Sequence, residues 1–239
     1  MIMILSGAGL SAESGIKTFR DHEGLWEEYD VMQVCSTQGW EVDRELVTQF
    51  YNARRKDLED KKPNKAHMAL AELEKKYPGQ IYNLTQNVDD LLEKAGCGEV
   101  IHLHGTLRDL RCEECKHVWD VGYSVQDKTE SCPACKSDSI RHNVVMFGEA
   151  APMYSRIYEA VQQCQLFIAI GTSGQVIDIV PIASEFQHSI LINPKREEYM
   201  TSFGSQDRYI DEYFEHFIQR GAGEAMDEMI GIIEEFMDV

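Results

Sequence analysis

Four cysteines, arranged as Cys112-Glu113-Glu114-Cys115 and Cys132-Pro133-Ala134-Cys135 with sixteen residues between the pairs, carry the sharpest chemical signal in this chain. Each Cys-x2-Cys knuckle turns two sulfurs toward one point. Four thiolates close a tetrahedral shell around zinc and leave no position for water, so the spacing predicts one structural ion. The segment between the knuckles is not basic, which argues against a nucleic-acid ribbon. Cys35, Cys97 and Cys164 stand alone and are expected to be packed thiols.

A second signal lies at the start of the chain. After the apolar run Ile2–Ser6, Gly7, Gly9 and Ala12 satisfy the strand–Gly-x-Gly-x-x-Ala–helix fingerprint of a dinucleotide site. Glycines there let the backbone approach a pyrophosphate, whose charge faces the free N–H groups of the following helix. A plain tight turn has the same glycines, and the acidic residue expected ~20 residues on is missing. His104 ends the run Glu99-Val100-Ile101-His102-Leu103-His104, where a parallel sheet presents catalytic groups, and an imidazole there can accept a proton near neutral pH. His102 shares that strand face and reads equally well as a structural histidine. Asn87 and Asp89 follow the run Ile81–Thr85; taken alone, they read as caps for a helix Asp90–Ala95. Tyr51 and Arg54, three apart on a helix, could converge on one carboxylate, although an ordinary ion pair would explain Arg54 as well.

The elements that must position these groups follow from the apolar runs Ile2–Ser6, Ile81–Thr85, Val100–His104, Leu166–Ile170 and Ser189–Asn193, which alternate with helical segments. This is the pattern of an α/β fold with a Rossmann-like parallel sheet. Two stretches interrupt it. Residues 42–77 read as a helical module split at Lys61-Lys62-Pro63, with Asn64 capping its second helix, and residues 107–142 as the zinc-ribbon module. Together they form an inserted smaller domain, leaving 1–41, 78–106 and 143–239 as the Rossmann, dinucleotide-binding domain. The amphipathic stretch Glu224–Val239 should pack on the sheet. With 41 acidic against 23 basic residues, the net charge of −18 disfavours nucleic acid and anionic membrane as partners and favours cationic ones. The opening apolar run is too short for a signal peptide, no stretch has transmembrane length, and the cysteine usage suits a reducing compartment. The expectation is a cytoplasmic protein.

In order along the chain, these segments resemble the sirtuins, NAD-dependent protein-lysine deacylases. Gly7-Ala8-Gly9-Leu10-Ser11-Ala12-Glu13-Ser14-Gly15-Ile16, with Phe19-Arg20-Asp21, is similar to their opening motif. Thr85-Gln86-Asn87-Val88-Asp89 resembles their Thr-Gln-Asn-Ile-Asp signature, and His104-Gly105 their catalytic pair. The cysteine pairs fall where their zinc module sits, and Phe147-Gly148-Glu149 and Gly171-Thr172-Ser173 are similar to two further motifs. The resemblance covers nearly the whole chain. It implies NAD as a consumed co-substrate, His104 as general base, and Asn87 with Gln86 holding the nicotinamide ribose and ordering water. It further implies Asp89 at the carboxamide, with Val88 beside it. Gly7, Ala8, Gly9, Ser11, Ala12, Phe19, Arg20 and Trp26 would line the cofactor loop. Gly171, Thr172 and Ser173 would meet phosphate and ribose, Asn193 the adenine ribose, and Ala222 the adenine. An acyl-lysine peptide would add as a strand between Val145, Phe147, Gly148, Glu149 on one side and Gly174, Val176 on the other.

The same resemblance extends to acyl preference. Phe50-Tyr51-Asn52-Ala53-Arg54-Arg55 is similar to the Tyr-x-x-Arg of bacterial sirtuins that remove succinyl and malonyl as well as acetyl groups. Departures from the family pattern fall at Lys17, at His142-Asn143 and at Ile177–Val180, and none removes a group the chemistry needs. Two other activities fit parts of the pattern: a mono-ADP-ribosyltransferase and a non-catalytic NAD- or ADP-ribose-binding module. Target proteins and oligomeric state are not legible.

Overall fold

The computed structural model describes residues 1–17, 30–127, 129–201 and 204–238. Its strands are β1 Ile2–Ser6, β2 Ile81–Thr85, β3 Val100–His102, β4 Gly105–Cys112, β5 Val118–Asp120, β6 Ile140–Val144, β7 Leu166–Ile170, β8 His188–Ile192, β9 Glu198–Thr201, β10 Gly204–Tyr209 and β11 His216–Ile218. Its helices are α1 Val31–Val34, α2 Thr37–Val42, α3 Arg44–Leu58, α4 Lys65–Lys76, α5 Leu91–Ala95, α6 Ser155–Gln163, α7 Ile179–Ser184 and α8 Ala222–Met237.

Six strands form one sheet in the order β11-β8-β7-β1-β2-β3, every pair parallel. Because the side-chain period in a strand is two, alternate residues feed opposite layers. Ile2, Ile4, Ile168, Ile170, Ile190 and Ile192 meet α4 and α8, whereas Met3, Leu5, Phe167, Ala169 and Leu191 meet α6 and α7. Both faces being covered, the central strands read as unbroken apolar runs. The chain moves from β1 outward to β2 and β3, then crosses back to β7, β8 and β11. The crevice at the carboxyl ends of β1 and β7 is therefore the point where the winding reverses, the place where such sheets bind ligands.

Three expectations are refined here, and three further strands are added. The third strand stops at His102, and Leu103 and His104 turn into β4. That turn requires Gly105, which has φ +75° and lies where a Cβ would come within 2.0 Å of the Asn143 carbonyl oxygen. The last of the five expected strands runs His188–Ile192, one residue earlier than its apolar run suggests. The three-residue edge strand β11 and the β9–β10 hairpin carry too little apolar alternation to be visible in the sequence. Finally, the segment after Gly7 forms two short 3-10 turns, Ala8–Leu10 and Ala12–Ser14, where the fingerprint calls for an α-helix.

The helices of residues 42–77 pack in different places. Asn64 caps α4 as expected, its Oδ1 accepting from the N–H of Ala66 at 2.9 Å, but α4 lies on the parallel sheet with Leu70 and Leu73 in its core. Helix α3 instead joins α1 and α2 in a separate cluster, where Val47, Phe50 and Leu58 meet Leu107, Val144 and Met146. The smaller sheet, β5-β4-β6, is antiparallel and carries the cysteines at one end.

Candidate active site

Two loops close on each other at the crevice. The N–H of Gly7 donates to Ile170 O and that of Gly9 to Gly171 O, both at 2.9 Å. A Cβ on Gly9 would lie 2.6 Å from the Gly171 Cα, and one on Gly171 (φ +62°) 2.5 Å from the Gly9 carbonyl carbon. The glycines of the fingerprint are thus required first by loop-on-loop packing. Among the described residues, two 3-10 turns and no α-helix follow them directly. The N-terminus of α8, which begins at Ala222, is itself held by the loop: the N–H of Gly223 donates to Glu13 Oε1 at 2.9 Å. Ala222 is buried in the layer beneath.

Polar groups at the strand ends tie the crevice together. Gln86 Nε2 donates to Thr172 Oγ1 at 3.0 Å, and Asn193 Nδ2 to Thr172 O at 2.7 Å, linking the ends of β2, β7 and β8. Below them lies a buried network. Ser11 Oγ donates to Asp89 Oδ2 at 2.9 Å and accepts from Asn87 Nδ2 at 3.1 Å. His67 Nε2 stands 3.3 Å from the same hydroxyl, while its Nδ1 accepts from the backbone N–H of Asn64 at 3.2 Å. Burial lowers the His67 pKa to about 4, so this imidazole is neutral. Asp89 Oδ1 accepts from Leu91 N at 3.1 Å, one residue before the N-cap Asp90 of α5, and burial raises its carboxyl pKa. Ala8 and Ala12 open the two 3-10 turns, and Val88 packs toward the α3 cluster. Ser173 lies between Thr172 and Gly174 in the turn after β7. Phe19, Arg20 and Trp26 lie outside the described residues.

His104 and His102 leave the same turn with different partners. His104 Nδ1 lies 3.0 Å from Gln86 O, so it carries the proton, and Nε2 keeps its lone pair. The hydroxyl of Tyr154 sits 2.8 Å from that Nε2. Burial lowers the His104 pKa below its ordinary value. His102 Nδ1 meets Asn87 O at 2.9 Å and its Nε2 meets Glu93 Oε1 at 2.7 Å. Despite its burial, the Glu93 carboxylate raises the His102 pKa.

On the peptide side, Val145 N donates to His104 O at 2.9 Å. The backbone of Phe147 is already engaged, its N–H with Cys35 O at 2.8 Å and its C=O with Thr37 N at 3.0 Å, while its ring is 41% exposed. Gly148 (φ +92°) and Gly174 (φ +71°) sit in left-handed turns, and Val176 is exposed. The Glu149 carboxylate faces inward. It binds Arg111 Nη2 at 2.6 Å, Arg141, and the N–H of Met146 at 2.9 Å, tying this loop to β4 and β6. The structure thus gives Glu149 an organising role within the protein.

Tyr51 and Arg54 stand together. The phenol is hydrogen-bonded with the Cys35 thiol, and burial holds its pKa well above the usual value. The Arg54 guanidinium lies 5.5 Å above the Phe50 ring, its pKa lowered by burial. The fully buried arginine is the neighbouring Arg55, which donates to the carbonyls of Leu107, Ser124 and Asp109. Cys35 is therefore a hydrogen-bonding partner as well as a packed thiol.

The two cysteine knuckles repeat one geometry. Lys116 N donates to Cys112 O and Lys136 N to Cys132 O, at 3.1 and 2.9 Å, and both lysines have left-handed φ, +63° and +67°. Cys112 Sγ lies 3.6 Å from Cys135 Sγ, and Cys115 Sγ 3.6 Å from Cys132 Sγ; all four sulfurs lie within 4.8 Å of one another. Ligand bonds of about 2.3 Å at a tetrahedral centre need nearly this spacing, so the cluster fits a zinc ion.

Sequence reasoning missed His67 and Tyr154. The spacing Asn64-x-x-His67 copies a capping box with imidazole in place of the usual carboxylate, and that signal was available. Tyr154 lies fifty residues from His104 in the chain, and no local pattern connects them.

Comparison with known proteins accords with this architecture. The model of the Sir2 family matches residues 7–178. An NAD-dependent protein deacylase of Campylobacter jejuni (strain RM1221) is 47% identical over 237 residues, 99% of this chain and 97% of its own length. One from Helicobacter pylori (strain ATCC 700392 / 26695) is 46% identical over 191 residues, 79% of each chain. Among solved structures, a Sir2 homologue in complex with NAD superposes with a TM-score of 0.81 at 35% identity, covering 98% of this chain and 89% of that one. A mutant Sir2 homologue in complex with ADP-ribose gives 0.82 at 34% identity, covering 100% and 93%. Likeness of this extent, laid over a sheet and a cysteine cluster of the kind just described, means that the chain belongs to the Sir2 family.

Proposed function

We propose that this protein is an NAD-dependent protein-lysine deacylase, with His104 as its general base. The observation that carries this reading is the tautomer of His104. With Nδ1–H donated to Gln86 O, the basic Nε2 lone pair stands at the strand-end crevice, on a ring that burial keeps neutral at physiological pH. NAD, consumed in the reaction, supplies a sugar carbon that becomes electrophilic as nicotinamide departs and is captured by the acyl oxygen of lysine. His104 then takes the proton of a ribose hydroxyl onto Nε2 as that oxygen attacks the amidate carbon, and Gln86 O stabilises the imidazolium through Nδ1–H. The lysine amine leaves with the proton that His104 returns, while water adds to the acyl carbon. Products are nicotinamide, free lysine and O-acyl-ADP-ribose.

The residues suit NAD. The Gly7–Gly9 and Gly171 loops meet backbone to backbone at the winding reversal, and Gln86, Asn87, Thr172 and Asn193 supply fixed amide and hydroxyl groups around it. Asn87, with Gln86, holds the ribose and orders water. Asp89 reaches the carboxamide by exchanging one of its present partners, Ser11 or Leu91. The lysine-bearing peptide is a strand laid along Gly148 and Gly174–Val176, since the backbone of Phe147 is taken. Cys112, Cys115, Cys132 and Cys135 would hold zinc with no position left for water, tying the knuckle at the end of β4 to the one that precedes β6. A reducing, cytoplasmic setting accords with four cysteines kept as metal thiolates; no helix among the described residues is long and apolar enough to cross a membrane.

For the acyl group, the reading is removal of succinyl and malonyl as well as acetyl. Tyr51 stays protonated as a donor, and Arg54 offers a charge beside it for an acyl carboxylate. Mass spectrometry of acetyl- and succinyl-lysine peptides incubated with NAD tests the activity, and an absence of O-acyl-ADP-ribose from both would sink it. Arg54→Met should cut kcat/KM for the succinyl peptide at least about ten-fold, the scale of a lost charge-assisted hydrogen bond, and leave the acetyl peptide within a factor of about two. Equal losses would remove the acyl assignment alone.

A further inference from the structure

We propose that Tyr154 is a positioning residue that caps the catalytic base: its hydroxyl occupies His104 Nε2 in the ligand-free protein and yields that place to a ribose hydroxyl when NAD binds. The inference rests on the assignment of His104 as base and goes beyond it. A neutral imidazole with Nδ1–H committed to a carbonyl has one in-plane lone pair, on Nε2, and this accepts one good hydrogen bond. Tyr154 takes it at 2.8 Å, the two rings lying 5.8 Å apart and tilted by 48°. A ribose hydroxyl that is to lose its proton to Nε2 must use the same lone pair. The two are competitors for a single site.

The placement of Tyr154 makes the exchange mechanically simple. It ends the 3-10 turn Pro152–Tyr154, whose first two residues are exposed, and runs directly into α6. The ring rests on the apolar layer beneath β7 while the hydroxyl reaches over to the base, so a small rotation of the turn withdraws the hydroxyl without unpacking the ring. The same stretch of chain carries Phe147, Gly148 and Glu149, so seating a peptide on that loop and releasing the cap act on one segment. Until then, the cap keeps the base from a loosely placed cofactor.

Tyr154→Phe keeps the ring and removes the bond. In nitrogen-15 spectra of the free protein, recorded where His104 is neutral, the Nε2 resonance should differ between wild type and Y154F. With saturating ADP-ribose the two should coincide, because ribose then occupies Nε2 in both. The kcat/KM for NAD should rise in Y154F by about five-fold, the scale of one hydrogen bond no longer exchanged. Identical spectra in the free proteins would overturn the proposal. So would a difference that persists under ADP-ribose, or a fall in kcat/KM, since either would leave the tyrosine seated between sugar and base as a relay. Failure of ADP-ribose to bind wild-type protein by calorimetry, or full turnover by His104→Ala, would instead strike at the assignment of the base.

Discussion

His102 and His104 stand two residues apart, each with Nδ1 on a backbone carbonyl from the loop after β2, yet the fold gives them opposite chemistries. His102 is clasped at both nitrogens by acceptors, Asn87 O and the Glu93 carboxylate, a setting that favours the cation. At His104 the second partner is a hydroxyl, and burial favours the neutral ring. A single partner at Nε2 thus separates a ring whose charged form is favoured from one whose neutral form is favoured. Residue type is the same for both, and only two positions separate them; the difference comes from what α5 and the Pro152–Tyr154 turn bring to each ring.

The contrast breaks first at His104. His104→Ala should lower deacylation by about 10²–10⁴-fold, the range for a lost general base, while His102→Gln should cost less than ten-fold. Rates of product formation measured on the two variants side by side check this, and comparable losses would erase the distinction. Next in size is the metal. Because β4 begins immediately after His104 and ends at Cys112, stripping zinc with a chelator should loosen the His104 side of the turn and leave His102 held by α5. The thermal midpoint should drop by about 10 °C or more, taking roughly 3 °C per kcal/mol for a chain of this size. His102 should titrate as before in proton spectra.

The smallest effect sharpens the comparison. Glu93→Gln removes the carboxylate, so the His102 pKa should fall toward or below its ordinary 6.5, with turnover changed by less than about two-fold. The linkage has a defined sign. His102 is raised on folding, so its contribution to stability is complete below pH ~6.5 and is lost as pH rises through its folded pKa. Glu93 is lowered, so its contribution is present above pH ~4.5 and is lost as pH falls through its folded pKa. The pair therefore stabilises the protein between those two folded values. With Glu93 41% exposed, solvent screening keeps the contribution to no more than about 1 kcal/mol. Activity has the opposite dependence at His104: turnover should fall only as pH drops through a folded pKa below 6.5. Denaturation midpoints and rates collected across pH 4–9 separate the two curves.

Much of this arrangement is readable along the chain because its causes are local. Apolar runs buried on both faces give β1, β2 and β7 with their observed ends, and the Cys-x2-Cys spacing gives the metal cluster, since knuckle geometry is set within six residues. Asn64 caps α4 as its side chain predicts. Motif order alone suffices to place the chain among the sirtuins. What the chain does not reveal is what distant segments do to one another. Gly7 and Gly9 are legible as glycines, but the need for them comes from Gly171 on another strand. Glu149 is legible as part of a motif, but its salt bridges depend on β4 and β6 being side by side.

Residue identity and spacing therefore determined which groups are available: two imidazoles at a strand end, four thiols, a glycine-rich turn. Tertiary structure alone decided their states, because protonation and hydrogen-bonding roles depend on burial and on partners that other elements of the fold bring alongside. Tyr154 on His104, His67 on Ser11 and Cys35 on Tyr51 are contacts that no local periodicity encodes.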